Sequence, residues 1–259
     1  MAIALPLPGR LPLRAYLHEM RCECLRMLRD PAFCIPVTGF PLMFYLLFAV
    51  VLNRQHSAAT AQYLLATYGA FGVIGAGLFG FGVGVAVDRE RGFLRLKRVL
   101  PTPPGAMLLA KLAMAMLFAA LISGLMALLG VAVAHVALAP WQWLALLAVD
   151  VLGVLPFAAI GLYAGTRVGA SAAPALLNAL YLPMAFLSGL WLPLSMLPET
   201  LAKLAVLWPA YHLGQLALQV VGFDQGQSPW LHVGVLAGIT AMFFALAQRR
   251  LSRPAAAMP

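Results

Sequence analysis

The chain has 259 residues, of which 63% are hydrophobic and only 10% are charged, with 17 basic and 8 acidic side chains. A soluble domain is typically about 45–50% apolar and about 25% charged. The mean hydropathy of +0.92 is correspondingly high. These figures exclude a sizeable soluble domain and predict a membrane protein, a single transmembrane domain over 1–259, whose apolar residues fall in bilayer-length blocks.

The N-terminal region precedes the first apolar block. Residues 13–30 predict an amphipathic helix, with an apolar stripe of roughly 120° at 100° per residue. Its opposite face carries arginines, as in a helix that lies in the membrane interface and contacts anionic headgroups. Residues 1–14 lack a continuous apolar core, so no cleaved signal peptide is predicted.

Three cysteines, Cys22, Cys24 and Cys34, lie close together in this region. An odd number in this arrangement predicts free thiols rather than a disulfide framework. His18 and Glu19 precede the first two on the same helix, so a metal site is the alternative interpretation.

Six apolar blocks are long enough to cross a ~30 Å hydrocarbon layer as helices. They are predicted at 33–52, 61–87, 106–134, 143–164, 172–192 and 229–247. Lys111 lies near the start of the third block, where its ammonium is expected to snorkel toward the interface. The predicted fold class is an all-α integral membrane protein with six transmembrane helices.

Basic residues set the predicted orientation. With six spans and a cytoplasmic N-terminus, 15 of the 17 lysines and arginines are cytoplasmic, and Arg54 and Lys203 lie outside. A seventh span at 204–223 would move the C-terminal arginines outside. Residues 193–228 are therefore predicted to form a re-entrant or interfacial hairpin on the outer face, with both termini cytoplasmic.

Motifs for nucleotide chemistry lack the context that they need. Residues 75–80 match G-x-G-x-x-G, but they lie inside a charge-free span with no preceding strand. Helix packing explains them better, since Gly80 and Gly84 have GxxxG spacing and Gly161, Gly165 and Gly169 form a second small-residue row. None of the three lysines precedes Ser or Thr, so the sequence has no P-loop. We expect no cofactor in this chain, no enzymatic activity of its own and no nucleic-acid partner.

Asp150 is the most specific single candidate for a functional residue within the predicted spans. It lies seven positions after Trp143, about 10 Å along a helix, and an intramembrane carboxylate is by default a candidate functional group. The alternative is a structural partner for a neighbouring polar group, or a neutral acid near the outer boundary. His135, His212 and His232 are expected near the outer face as ordinary polar residues.

The charged segment 88–100 also has two interpretations. As a helix it places arginines on one face and Phe93 with leucines on another, which suits a purely interfacial helix. The interleaved Asp88 and Glu90 favour a docking surface for a soluble partner, because charge sets register and an exposed aromatic fills a pocket.

Several of these segments, in this order and spacing, resemble ABC exporter permeases of the type-2 class. The resemblance covers almost the whole chain and rests on Leu28-Arg29-Asp30-Pro31, Phe40-Pro41-Leu42-Met43-Phe44, Asp88-Arg89-Glu90-Arg91-Gly92, Leu100-Pro101-Thr102-Pro103, and Ser188-Gly189 followed by Pro193, Pro198, Pro209 and Tyr211.

The resemblance implies a six-helix subunit of the inner membrane that forms a dimer, a second copy of the permease being the expected partner, and binds two separate ATP-binding cassette subunits. ATP and Mg²⁺ would bind those subunits. The segment 88–100 would be the coupling helix, with contacts from Asp88, Arg89, Glu90, Arg91, Gly92, Phe93 and Arg95, and 13–30 would be the interface helix. The second and fifth spans would line the path, exposing Phe71, Phe79, Phe186 and Leu187 to cargo.

Apolar and aromatic path residues suit export of a lipophilic or amphipathic compound, such as a drug or a lipid-linked molecule. Two other classes are weighed against this one. An intramembrane enzyme using Asp150 would need several polar side chains converging at one depth. An ion-coupled secondary transporter would need internal repeats or paired intramembrane charges, and the sequence offers neither set.

Overall fold

The computed structural model describes residues 11–53, 57–93, 106–223 and 226–251, in which all regular structure is helical. The helices in chain order are α1 (Leu11–Leu28), α2 (Pro31–Tyr45), α3 (Ala58–Glu90), α4 (Ala106–Ala132), α5 (Pro140–Gly165), α6 (Ala173–Leu187), α7 (Glu199–Leu204), α8 (Pro209–Val220) and α9 (Pro229–Leu251). A π-helical segment, Leu46–Val51, continues α2, and two 3₁₀ turns, Leu194–Met196 and Ala205–Leu207, flank α7. The predicted all-helical membrane fold is confirmed at this level.

Five helices of the described residues are long and apolar enough to cross a membrane. They are α2 with its π segment, α3, α4, α5 and α9. The predicted span at 172–192 corresponds to α6, which has only 15 residues, fewer than the ~20 that a full crossing needs. The count of six spans therefore stays a prediction.

The predicted boundaries differ from the observed ones mainly at α3. This helix extends from Ala58 to Glu90, so Asp88, Arg89 and Glu90 form its last turn instead of opening a separate helix at 88. Gly92 follows with a φ of +74°, a left-handed conformation that favours glycine and ends the helix. The rest of the predicted coupling helix, 94–100, lies outside the described residues.

The 33-residue α3 is the centre of the bundle, and α2, α4, α5, α6 and α8 all pack against it. It is apolar around its whole circumference, as expected for a helix that other helices enclose. Its closest partner is α5. A β-carbon added at Gly161 would lie 2.5 Å from the Leu78 carbonyl oxygen, and one at Gly165 would collide with the Gly82 carbonyl.

Small residues therefore let the two backbones approach, as the sequence predicted for Gly161 and Gly165. On α3 the residues that face α5 are Gly77 and Gly82, while Gly80 and Gly84 give space to Met114 and Lys111 of α4.

Helix α1 packs on α4 and ends just before Asp30, whose carboxylate accepts a hydrogen bond from the Ala32 amide at 3.1 Å. Asp30 thus caps α2, and Pro31 occupies the first turn, where its missing N–H costs nothing. The predicted helix 13–30 is present as Leu11–Leu28.

The ends of the bundle are distinct. One end, called here the α1 end, contains α1, the last turns of α3, α5 and α9, and the start of α4. At the opposite end Gln62 and Gln142 donate hydrogen bonds to the carbonyls of Val221 and Val220, which end α8. The described residues of the predicted hairpin, 193–223 and 226–228, pack there as short helices and turns. Its re-entrant placement in a membrane stays a prediction.

Candidate functional site

Four charged side chains meet at the α1 end, where the last turn of α3 lies between α1 and α4. Lys111 Nζ lies 2.5 Å from Glu23 Oε1 and 2.9 Å from Asp88 Oδ2. Arg26 lies 2.8 Å from the same Glu23 oxygen and 2.9 Å from Asp88 Oδ1. We call these four residues the charge cluster; it joins three helices through two carboxylates and two cations.

The cluster is largely removed from solvent. Lys111 is fully buried, and Asp88 is 4% and Glu23 7% exposed. Gly84 provides the space, since a β-carbon there would lie 3.3 Å from Lys111 Nζ. The expectation that Lys111 snorkels to the interface is wrong, because its ammonium pairs inside the protein with two carboxylates.

Arg26 shows how strongly the cluster is coupled. Partial burial alone would lower the pKa of its guanidinium, but Glu23 and Asp88 outweigh this effect and the pKa is raised. Arg26 was expected to contact lipid headgroups. Its guanidinium instead connects α1 to the end of α3.

The two residues after Asp88 bind the segment that follows α5. Arg89 donates hydrogen bonds to the carbonyl oxygens of Thr166, at 2.5 Å, and Val168, at 2.8 Å. Glu90 Oε1 accepts a 2.8 Å bond from the Ala170 amide. Gly169 allows this approach, because a β-carbon there would lie 2.5 Å from the same Glu90 oxygen. Carbonyls left open at the end of α5 are thereby satisfied.

Helix α9 joins the same junction. Arg250 Nε donates a 3.1 Å hydrogen bond to the Thr166 carbonyl, which also accepts from Arg89. The end of α3 is therefore held by α1, α4 and the segment after α5, and α9 bonds that same segment.

Beyond this junction the predicted docking residues are exposed. Arg91 is exposed and Phe93 is 43% exposed, with Gly92 between them. Arg95, the remaining predicted residue, lies outside the described residues. The sequence treated Asp88 through Arg95 as one surface. In the structure the first three residues make contacts within the chain, although Glu90 is also exposed, and Arg91 and Phe93 are exposed beyond them.

The predicted path residues belong to a cluster of aromatic rings. Phe71, 2% exposed, stacks on Tyr181 with centroids 4.7 Å apart, and the Tyr181 hydroxyl donates to the Phe71 carbonyl at 2.9 Å. Phe79 meets the same Tyr181 edge-on at 5.6 Å. We call the following the aromatic cluster: Phe44, Phe71, Phe79, Tyr181, Phe186 and Trp191.

Phe186 contacts Trp191 at 6.5 Å and is exposed, whereas Leu187 is only half-buried. Three of the four predicted residues thus lie in one cluster. Sequence reasoning missed Tyr181 and Trp191, although aromatic residues in and just after an apolar block were a usable signal.

A cavity of about 660 Å³ opens beside this cluster, toward the end opposite α1. Trp191 belongs to the aromatic cluster and also lines this cavity. The cavity wall combines apolar side chains with a few polar ones: Phe48, Leu52, Asn53, Ser57, Ala59, Thr60, Tyr63, Leu64, Trp191, Leu192, Pro193, Met196 and Phe223.

Asp150 lies in the interior between α3, α4 and α5. It is 1% exposed and lies beside the Ser123 side chain, while its Oδ1 has no hydrogen-bond partner among the described residues. Gly69 leaves room for it, since a β-carbon there would lie 3.5 Å from Oδ2. Asp150 belongs to no group of three or more His, Cys, Asp or Glu side chains that could hold a metal ion within the described residues.

His212 of α8 and His232 of α9 form a buried pair, with their Nδ1 atoms 2.8 Å apart. His135 is a separate residue with a φ of +51°. In the described part of the chain no group of three or more His, Cys, Asp or Glu could hold a metal ion. Cys22, Cys24 and Cys34 are free thiols there.

Comparison with known proteins decides the family. The model of the ABC-2 type transporter family matches residues 17–221, which includes the charge cluster, the exposed end of α3 and the aromatic cluster. The chain belongs to the ABC-2 type transporter family. A relative from Bacillus subtilis (strain 168), named "Putative transport permease YvfS", is 27% identical over 230 residues, 87% of this chain and 92% of the relative.

This ABC-2 permease is a multi-pass membrane protein, a conclusion that the family and the apolar helices share. The resemblance seen in the sequence is confirmed at the level of the family. Permeases of this family generally work with an ATP-binding subunit.

Proposed function

We propose that this permease is the membrane-spanning subunit of an ATP-driven exporter, that two copies form the translocation unit, and that a separate ATP-binding subunit docks at the α1 end. The observation that carries this proposal is the bracing of the last turn of α3. Asp88 is paired to α1 and α4, and Arg89 and Glu90 are bonded to the segment after α5.

The contacts around the last turn of α3 are suited to transmit a force from a docked subunit to the helices of the permease. A permease without a nucleotide site of its own must receive motion from outside, and a force applied just beyond Glu90 would move α1, α3, α4, α5 and α9 together. Rigid groups of helices that tilt as units are a common form of switching between two states.

The proposed docking surface is Arg91, Gly92 and Phe93, continued by Arg95. Arg91 and Phe93 are exposed and stand directly on the braced turn. An aromatic side chain beside a cation is typical of residues that anchor an interface. Asp88, Arg89 and Glu90 would then contribute to coupling by holding this surface in place.

The cytoplasmic side is assigned to the α1 end on the distribution of charge. Arginines concentrate there on α1, at the end of α3, after α5 and at the end of α9: Arg21, Arg26, Arg29, Arg89, Arg91, Arg167, Arg249 and Arg250. Lys203 is at the opposite end. Short cytoplasmic segments of inner-membrane proteins carry this excess of basic residues.

The aromatic cluster and the adjoining cavity favour a lipophilic or amphipathic cargo. Phe186 is exposed and in contact with Trp191, whose side chain also lines the 660 Å³ cavity. Asn53, Ser57 and Thr60 supply polar groups on one wall of that cavity. A compound with a large apolar body and a small polar part would match both regions.

The test is purification of the tagged permease from native membranes in mild detergent, followed by identification of co-purifying proteins and an ATPase assay. We expect a stoichiometric ATP-binding subunit with the wild type, and its loss in the double variant Arg91→Glu, Phe93→Ala. The control Glu199→Arg reverses a charge at an exposed position of the opposite end and should leave the complex intact.

Retention of the complex by the double variant would overturn the docking assignment. A wild-type protein without any nucleotide-binding partner would overturn the exporter assignment itself. The intramembrane enzyme and the ion-coupled transporter gain no support, because no convergent set of polar side chains accompanies Asp150 in the described residues.

A further inference from the structure

A cleft of about 340 Å³ opens on the outside of the bundle near the α1 end. Helices α4 and α9 both pack against α5, and the cleft lies between them. Its floor is formed by side chains that are nearly or fully buried, Phe81, Ala158, Ala159 and Leu162. The remaining lining residues are Leu108, Leu109, Leu112, Leu155, Thr240, Phe244 and Gln248.

The cleft is almost entirely apolar. Thr240 is one of two polar lining residues, and its hydroxyl donates a 2.7 Å hydrogen bond to the Leu236 carbonyl of its own helix, so it adds no free donor. The rim lies on the surface of the bundle, since Leu109 is 50% and Phe244 36% exposed. The small side chains of Ala158 and Ala159 create the depth, and the volume lies within the range of about 300–1,000 Å³ usual for ligand pockets.

One end of this cleft is polar and basic. Gln248 is the last lining residue on α9, and Arg250 follows two positions later. On α5, Leu162 lines the cleft and Thr166 lies one turn further on the same face. The Thr166 carbonyl accepts hydrogen bonds from both Arg250 and Arg89, which places two guanidinium groups beyond the apolar cleft.

Arg250 has capacity for a further acceptor. Its Nε donates a hydrogen bond to the Thr166 carbonyl, which is the hydrogen bond that this side chain makes within the described residues. A guanidinium carries five N–H donors and binds phosphate oxygens through two of them at once. The terminal amino groups of Arg250 are therefore available for a phosphate.

We propose that this cleft is a binding site for one phospholipid with an anionic headgroup, taken from the leaflet at the α1 end. An acyl chain fills the space between α4 and α9, and the phosphate contacts Arg250, with Arg89 adding positive charge. The site is separate from the aromatic cluster and the proposed docking surface. The lipid bound here would be a structural lipid of the permease and not its cargo, since the cleft shares no lining residue with the 660 Å³ cavity.

Native mass spectrometry of the full chain tests this assignment. The protein would be exchanged into nanodiscs of equal phosphatidylglycerol and phosphatidylcholine and then released for lipid counting. We expect one retained phospholipid per chain, with phosphatidylglycerol favoured at least fivefold. Ala159→Leu fills the cleft floor and should reduce retention at least fivefold, and Thr240→Phe fills it from α9 if the first variant fails to fold.

Headgroup selectivity is tested at the arginine. Arg250→Gln should bring the two lipids to equal retention, Arg250→Lys should keep the preference, and the control Arg249→Gln, which removes the same charge from the neighbouring position, should behave as wild type. Ala245→Leu is the matched control for added volume on the exposed side of α9.

Equal retention by wild type and the filled variants would overturn the site. Retention without preference for phosphatidylglycerol, or the same loss of preference in both glutamine variants, would overturn the assignment of the headgroup to Arg250.

Discussion

The ammonium of Lys111 lies 2.9 Å from a carboxylate oxygen of Asp88, in a position where the lysine side chain has no solvent exposure. The pair joins the start of α4 to the end of α3, and Glu23 of α1 completes the contact. A buried ion pair contributes little net stability when intact, but removing one partner leaves an uncompensated charge.

Replacement of this lysine should therefore be costly. Lys111→Met removes one of two cations from the two carboxylates, and we expect a loss of about 3–5 kcal/mol, the usual effect of breaking a buried pair. Thermal unfolding of the purified protein in detergent measures it. Lys203→Met is the matched control, because Lys203 pairs with Glu199 at an exposed position and such pairs contribute about 0.3–0.5 kcal/mol. Equal unfolding temperatures for the two variants would contradict the prediction.

Close packing of α3 and α5 gives a second prediction. At Gly161 a β-carbon would lie 2.5 Å from the Leu78 carbonyl oxygen, a backbone atom that cannot move aside without separating the helices. Gly161→Ala should lower the free energy of unfolding by about 1–3 kcal/mol, the usual effect of overpacking. Gly238→Ala is the control, since nothing lies within 4 Å of that position, and it should be neutral or slightly stabilising because alanine favours helix.

The sequence predicted the helices well because their signal is local. Apolar length placed α2, α3, α4, α5 and α9 within a few residues of their observed limits, and the proline and aspartate at the end of α1 marked its boundary. Gly161 and Gly165, two of the small residues at helical spacing, also indicated where α5 approaches the backbone of α3, whereas Gly80, Gly84 and Gly169 face side chains. These features depend on neighbours three or four positions away along one helix.

The charge cluster could not be predicted in the same way. Glu23 and Lys111 are 88 positions apart, and no periodicity assigns a partner over that separation. Asp88, Arg89 and Glu90 were grouped with the exposed segment because they adjoin it in a charged run. The usable signal was Lys111, the single charged residue of the apolar helix α4, because burial of such a charge demands an opposite charge nearby.

Asp150 provides the third prediction, which separates transport driven by ATP from chemistry at an intramembrane acid. Asp150 is buried, lies beside Ser123 and takes part in no ion pair within the described residues. Asp150→Asn keeps the shape of the side chain beside Ser123 while removing an ionisable group from an apolar interior, so we expect equal or higher thermal stability and unchanged ATP hydrolysis by the complex.

Leu146→Asn is the matched control for this experiment. It introduces the same amide one turn earlier on α5, at a buried apolar position, where an amide without a partner is destabilising by about 1–3 kcal/mol. A stable Asp150→Asn variant that has lost activity would count against the structural role and in favour of an ionisable group in the mechanism.

The buried histidine pair at the opposite end gives a prediction about pH. His212 Nε2 lies 3.0 Å from the Val206 carbonyl oxygen, so this nitrogen carries the proton. His212 Nδ1 then accepts from His232 Nδ1 across 2.8 Å. A further proton on His212 would keep this contact only if the His232 proton moved from Nδ1 to Nε2, and it would place a net charge at a buried position.

Burial lowers the pKa of His212 below its ordinary value, against the opposing effect of the Val206 carbonyl. The unfolded chain therefore binds more protons, and the contribution of this pair is fully present above about pH 6.5 and is lost as the pH falls. Thermal unfolding between pH 7.5 and 5.5 should show a decrease that is larger in the wild type than in His212→Gln, whose amide does not titrate. The same decrease in both proteins would assign the pH response to other groups and leave the histidine pair as a static contact.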